Sequence, residues 1–317
     1  MRRSAETSET GAGSEPSGTS TGAGIRAGSG IRAEGDIRAE SGIRAGTGIR
    51  AEGDGRTGVA PTDRVPVRAV LFDVDDTLVD TASAFAAAIE VVAGEYLPHV
   101  PAQEYAQVLA LWRADAQGHY RRFTRGEITH TEQRRARAAE LHEAFGGPPL
   151  HDDDDLFARW DARYSEAFAD AWRSFDDALA CVRDVVDRGL AIGAVTNARE
   201  AIQRDKLQRC GLADDVPLLV TLDTFGVGKP DPRVFTEACR LLGTDPAATL
   251  YVGDELDVDA RAACRAGLHG VWLDRPGRRR GGPFLEDPAV ARAEGIDVIA
   301  GLAELPALLD ARSVSQR

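Results

Sequence analysis

Ala69-Val-Leu-Phe-Asp73-Val-Asp75-Asp76-Thr-Leu78 is the stretch from which the fold of this 317-residue chain can be read. A short apolar run that ends in carboxylates reads as a buried strand carrying acids at its end. Alternation along an extended chain predicts Asp73 and Asp75 on one side, pointing into a common space. Two carboxylates that close repel each other, so one keeps a proton unless a cation shares the site. Such a pair suits a nucleophile with a general acid/base, and Mg2+ is the cation that fits it.

Moving outward, residues 81–172 read as helical throughout. Phe85, Ile89, Val92 and Tyr96 fall on one helical face, as do Tyr105, Val108, Leu109 and Trp112. Further helices are expected over 131–145 and 153–172. The second carries Leu156, Trp160, Tyr164, Phe168 and Trp172 at intervals of four, a packing stripe. The Asp152–Asp155 run before it suits a helix N-terminus, whose dipole favours acids. After Phe175 the texture changes to short apolar runs alternating with amphipathic segments: LAIGAVTN (190–197), VPLLVT (216–221), ATLYVGD (248–254), HGVWLD (269–274) and IDVIAG (296–301), with a last helix over 302–310. Alternating strands and helices imply βαβ units and a mostly parallel sheet covered on both faces. The expected architecture is therefore α/β, a Rossmann-like parallel sheet over 65–80 and 174–317, interrupted by an all-helical insert over 81–173. In such sheets chemistry gathers at the carboxyl ends of the strands.

Three more strand ends or loops carry polar groups. Thr196 and Asn197 end one run, where an alternative role is to cap the helix that begins near Arg199. Gly226-Val-Gly-Lys229-Pro-Asp231-Pro232 holds Lys229 just before a helix that its prolines start. Tyr251-Val-Gly-Asp254-Glu-Leu-Asp257-Val-Asp259 runs from a strand into acids.

In this order FDVDDTL, VTN, GKPDP and GDELDVDARAACRAG resemble the four motifs of the haloacid dehalogenase-like (HAD) superfamily, phosphatase branch, with a helical cap in the position of the insert. The resemblance covers residues 68–310. It implies Asp73 as aspartyl nucleophile and metal ligand, and Asp75 as acid/base whose backbone carbonyl also meets the metal. It further implies Thr196 and Asn197 at the phosphoryl group, Lys229 between nucleophile and phosphate, and Asp254 as the last metal ligand. Asp259 is then a supporting acid, and Asp257 lies off the family spacing. Family members that are dehalogenases carry a non-acidic residue at the position of Asp75 and need no metal, so Asp75 implies phosphomonoester hydrolysis. Asp76 stands where the family most often has glycine. The Arg125–Thr129 segment resembles a cap turn. Arg113, His119, Tyr120, Arg121 and Arg122 are candidate substrate contacts that equally suit a solvated face, and Arg278–Arg280 reads as a solvated loop.

Residues 1–64 contain no aromatic residue and carry a six-residue unit, GIRAGS to GIRAEG, five times from Gly24 to Gly53. Too few large side chains are present to fill a β-helix, so a disordered tail is expected. Its nine arginines balance nine acids, and the net charge of −13 belongs to residues 65–317. That acidity argues against nucleic acid or an anionic membrane surface as partner. No apolar run approaches a membrane span, Met1-Arg-Arg is followed by polar residues, and the four separated cysteines suit free thiols. A cytoplasmic enzyme acting on a small phosphorylated metabolite is expected, with Mg2+ as cofactor. Two alternatives share the motifs: a phosphosugar mutase, and a regulatory protein on a non-catalytic version of the fold. Only Lys206 and Lys229 are lysines among 38 basic residues, which makes a lysine within a motif notable.

Overall fold

The structure is a computed structural model describing residues 65–279 and 286–313; the tail over 1–64, with its repeats, and Arg280 lie outside the described residues. Strands β1 (Ala69–Phe72), β2 (Ala191–Val195), β3 (Leu218–Val220), β4 (Thr249–Gly253), β5 (His269–Leu273) and β6 (Asp297–Ile299) form one parallel sheet. Their order is β3-β2-β1-β4-β5-β6. The direction of winding reverses between β1 and β4, which is where a crevice opens beyond the carboxyl ends. Asp73, Thr196, Thr221, Asp254 and Asp274 are the first residues after their strands.

Alternate side chains divide between the two faces, as parallel strands buried on both sides require. Val70, Phe72, Ala194, Leu250, Val252 and Leu273 join one cluster. Leu71, Val195, Val220 and Tyr251 join another on the opposite face, with Phe235 and Ala238. Among the described residues, the α-helices before β2 are α1 (Thr81–Tyr96), α2 (Tyr105–Ala114), α3 (His119–Thr124), α4 (His130–Phe145), α5 (Asp154–Asp170) and α6 (Ala178–Asp187). The remaining ones are α7 (Glu200–Arg209), α8 (Leu222–Phe225), α9 (Pro232–Leu242), α10 (Arg261–Arg265), α11 (Pro288–Ala293) and α12 (Leu305–Ser313).

Helices α1 to α5 build their own apolar cluster, separate from those on the sheet, around Ile89, Val92, Val108, Trp112, Leu141, Trp160 and Tyr164. The aromatic stripe of α5 is that packing surface: Trp160 stacks on Tyr164 at 5.2 Å and Phe168 on Phe85 of α1 at 4.7 Å. Thr129 and Glu132 form a reciprocal capping box at the start of α4, and Asp153 caps α5 through the Leu156 N–H. The outgoing and returning chains are tied together: Phe175 N–H donates to Leu78 O at 3.0 Å and Asp80 N–H to Arg173 O at 2.9 Å.

The first strand differs from its expected reading. It stops at Phe72, and the N–H groups of Leu78 and Val79 both reach back to Val74 O. The chain therefore turns just after the two acids, between Asp75 and Val79, and the extended run that carries Asp73 and Asp75 ends there. Asp76 sits at φ 64°, a left-handed conformation that aspartate tolerates better than most residues, and accepts from the Ala82 N–H of α1 at 2.7 Å.

Close approach of β5 to the π-helical turn Leu256–Ala260 requires Gly270. A Cβ there would lie 2.3 Å from Ala260 O, a backbone atom. Gly270→Ala is expected to lower the unfolding free energy by about 1–3 kcal/mol. Urea unfolding monitored by circular dichroism checks this; an unchanged midpoint would show that the turn yields freely.

Candidate active site

Asp73 leaves β1 with its N–H on Val252 O at 2.8 Å, so the strand ladder itself fixes its position between β1 and β4. Its side chain is only 6% exposed. Lys229 reaches it from the loop before α9. The Lys229 ammonium donates to Asp73 Oδ1 at 2.5 Å, Asp259 Oδ1 at 2.7 Å and Tyr251 Oη at 2.9 Å, one partner for each of its three protons. Burial alone would depress this ammonium, but the carboxylates of Asp259 and Asp73 outweigh burial and hold its pKa well above the ordinary value. For Asp73 burial prevails. It raises the pKa to about 7, with Asp259 and Asp75 adding repulsion and Lys229 opposing it.

Asp75 faces a different wall. Its Oδ1 accepts from Thr81 Oγ1 at 2.6 Å and from Lys206 Nζ, and its Oδ2 accepts from Gln203 Nε2 at 2.6 Å. Gln203 and Lys206 lie one turn apart on α7, on the same helix face. Lys206 is 2% exposed, under the rings of Phe168 and Trp172. The second amide proton of Gln203 goes to Thr196 Oγ1 at 2.8 Å, which ties Thr196 to Asp75. Neither Gln203 nor Lys206 was a candidate from sequence; the scarcity of lysine was the one available signal.

Asn197, next to Thr196 in the chain, has a bracing role that the resemblance did not name. Its amide clamps the backbone of Lys229, accepting from Lys229 N at 2.6 Å and donating to Lys229 O at 2.9 Å. One amide N–H and the carbonyl oxygen hold the loop, and the second amide N–H remains as a donor. The alternative capping role falls to Asp223, which accepts from Glu200 N–H at the start of α7. Gly228 permits the clamp, since a Cβ there would lie 2.1 Å from Asn197 Oδ1.

Asp73, Asp254 and Asp259 each offer a carboxylate oxygen, and these lie within 4.8 Å of one another. Three hard oxygen donors, one pushed toward protonation by burial and by the neighbouring acids, fit a hard divalent cation. The carboxylate of Asp75 is outside this set, held by Thr81, Gln203 and Lys206. Asp257 is committed to Arg261 at 2.8 Å. Asp259 also accepts from Glu255 N–H, so it braces Lys229 and the turn after β4 together. No cysteine or histidine group of metal-binding geometry accompanies it among the described residues, and the cysteines are free thiols.

A cavity of about 190 Å³ adjoins Asp75 and reaches up between α2, α3, α4 and α5. The helical block is bonded to the loops below it: Tyr120 Oη donates to Asn197 O at 3.1 Å, and Gly228 N–H to Thr124 O at 3.0 Å. Arg113 and Tyr120 line the cavity as candidates from sequence, and His130, Gln133, Arg134 and Arg137 were missed. His119 instead pairs with Glu140 and Arg122 with Glu127. Arg278 and Arg279, expected to be solvated, each grip an acid with two nitrogens, Asp80 and Asp274 respectively. Among the described residues no helix is long and apolar enough to cross a membrane.

Residues 67–267 match the family model of haloacid dehalogenase-like hydrolases. Phosphoserine phosphatase of Thermus thermophilus is 35% identical over 136 residues, 43% of this chain and about half (51%) of that protein's length. Glyceraldehyde 3-phosphate phosphatase of Methanopyrus kandleri is 30% identical over 66% of this chain and 84% of its own. Among solved structures, YfnB of Bacillus subtilis, described as bound to magnesium, is similar at TM-score 0.61 and 23% identity, over 77% of this chain and 99% of that one.

Burial first, then the charge of Arg134, push the imidazole of His130 from 6.5 down to about 4. The unfolded chain takes up that proton between these values and the folded chain does not. Stability from this group is therefore lost as pH falls from about 6.5 to about 4. His130→Asn is expected to show a shallower loss of unfolding free energy between pH 7 and pH 5 than the wild type. Urea titrations at the two pH values check it, and equal slopes would overturn the assignment.

Proposed function

The chain belongs to the haloacid dehalogenase-like hydrolases, and from that premise we propose that it is a Mg2+-dependent phosphatase of a small phosphomonoester. One observation carries the reading. Each acid of the Asp73/Asp75 pair is held by its own lysine, Asp73 by Lys229 from the loop before α9 and Asp75 by Lys206 from α7. That separates two roles that a symmetrical pair could not divide. The phosphatases among its relatives and the oxygen donor set support the same reading. Helices α1 to α5 then act as a cap that encloses the leaving group.

Asp73 is the nucleophile. One of its oxygens attacks phosphorus and forms an aspartyl-phosphate, while the bond from phosphorus to the leaving oxygen breaks. Asp75 gives its proton to that oxygen, and the alcohol departs. The charge left on Asp75 is met by Thr81, Gln203 and Lys206. Asp75 then takes a proton from the water that attacks phosphorus, which frees phosphate and restores Asp73. Lys229 stands beside Asp73 to offset the charge of the arriving phosphoryl group. Thr196 accepts from Gln203 and keeps its own hydroxyl hydrogen to donate to a phosphoryl oxygen. Asn197 supports this site by fixing the Lys229 backbone. Asp73, Asp254 and the backbone of Asp75 would hold Mg2+, with Asp259 adjoining; when bound, the ion offsets charge on the phosphoryl oxygens and orients them.

Asp73→Asn is expected to abolish turnover of p-nitrophenyl phosphate with the melting temperature largely kept, because the amide matches the carboxylate in shape but cannot form the acyl-phosphate. More than a tenth of wild-type rate would remove Asp73 from this role. EDTA should eliminate activity and Mg2+ restore it, and Asp254→Ala should raise the Mg2+ concentration needed for half-maximal rate; full activity in EDTA would overturn the phosphatase reading. Lys206→Met should lower kcat by about 100-fold with a smaller change in KM, as expected when a proton-transfer group loses its orientation. Steady-state kinetics checks this, and a change confined to KM would make Lys206 a binding residue.

A further inference from the structure

Six rings, those of Phe85, Trp112, Tyr120, Phe123, Tyr164 and Phe168, line the cavity next to Asp75. A sugar or polyol would leave most of that surface without an apolar partner, whereas a flat unsaturated body would cover it. Set among the rings are two guanidiniums from adjacent turns of α4. Arg137 lies 4.0 Å over the Trp112 ring and Arg134 lies 4.3 Å over Tyr164. Both side chains are only 11% exposed.

Their charges are incompletely answered from within the protein. Arg134 meets Asp161 at 3.2 Å, but Arg137 has Asp115 only at 3.8 Å and otherwise the carbonyl of Trp112 at 2.5 Å. Arg134 Nε, Arg137 Nε and Gln133 Oε1 are buried with no hydrogen-bond partner. A guanidinium withdrawn from water with an open donor is costly, more so than a neutral group in the same position. Arg113, an exposed residue of α2, adds a third positive charge to the cavity wall, while Asp161 and Asp115 answer Arg134 and Arg137 only in part. Arg199 adds nothing to it, being paired with Asp223 at 3.1 Å. Buried guanidiniums with open donors suit an anion, and a planar carboxylate matches the edge of a guanidinium whose face is already stacked.

Resting on the phosphatase reading, we propose that the leaving group is a compact aromatic or similarly flat alcohol bearing one carboxylate, which Arg137 and Arg134 receive in the ring-lined cavity. The ester oxygen lies toward Asp75 and the carboxylate toward α4. The cavity is smaller than the roughly 300–1,000 Å³ of sites for drug-sized ligands, so the alcohol is of metabolite size.

The test is a matched set of aryl phosphates of similar leaving ability: 4-(phosphooxy)phenylacetate, its amide, and phenyl phosphate. Wild-type kcat/KM is expected to favour the acid over the amide by about tenfold or more, the effect of one charge-assisted contact. In Arg137→Met the acid-to-amide ratio should fall toward one, and in Arg134→Met it should fall part of the way. Should Arg137→Met not fold, the wild type still decides. The free alcohol 4-hydroxyphenylacetate should then inhibit at least about tenfold more tightly than 4-hydroxyphenylacetamide. Equal handling of acid and amide by the wild type overturns the carboxylate proposal and leaves the phosphatase reading standing. No turnover of any of these esters or of p-nitrophenyl phosphate overturns the phosphatase reading, and this proposal with it.

Discussion

Two ion pairs, Asp73 with Lys229 and Asp75 with Lys206, organise the crevice beyond the central strand. Carboxylates two residues apart repel, and burial increases the cost of their charge. One lysine set between them would have drawn both to a common point. A lysine on each side draws them apart. Lys229 pulls Asp73 toward Asp259 and Tyr251 beneath β4, while Lys206 pulls Asp75 toward α7 and the cavity under the helices. The turn that follows Asp75, closed by the Leu78 and Val79 N–H groups on Val74 O, then carries the chain toward α1.

Each lysine in turn needs a frame. Lys229 rides on a loop whose backbone is gripped by Asn197, itself at the end of β2, and Gly228 leaves room for that grip. Lys206 is framed by Phe168 of α5 and Trp172 just beyond it, whose ring faces meet the ammonium. The stripe thus does two things at once: it closes the core of the helical block and it forms a wall behind the Asp75 pair. Gln203 joins Asp75 to Thr196, so the ends of β1 and β2 are linked by side chains as well as by the ladder. Glycine recurs where helices and loops press on the sheet. At Gly253 a Cβ would lie 2.4 Å from Asp259 Cγ, so the residue before Asp254 must be small for Asp259 to reach Lys229.

Much of this was legible in the chain. Apolar runs ending in polar residues located every strand of the sheet, because a strand buried on both faces cannot hide its composition. Asp73, Thr196 and Asp254 could be proposed as candidates because they follow strands directly, and Lys229 because a lysine is rare in this chain and stands before a helix that prolines start. Gln203, Lys206 and Tyr251 escaped notice: two lie within a helix and one within a strand, where such residues ordinarily serve packing or solvation. Arg134 and Arg137 escaped for a similar reason. On α4 they look like a solvated face, and only the rings brought over from α2 and α5 bury them.

The sequence by itself therefore determined the parallel α/β core, the helical block after its first strand, and the set of acids and lysine at the carboxyl ends, all consequences of local pattern and of connection rules that act along the chain. Tertiary structure alone decided which partner each polar group meets. It gave Asp75 the company of Thr81, Gln203 and Lys206, set Asn197 on the Lys229 backbone, committed Asp257 to Arg261, and gathered guanidiniums under aromatic rings from helices far apart in sequence. The physical reason is the range of the forces. Burial and backbone pairing are set by near neighbours in the chain, but a charge or a hydrogen-bond donor answers to whatever lies within a few ångströms, and packing chooses that.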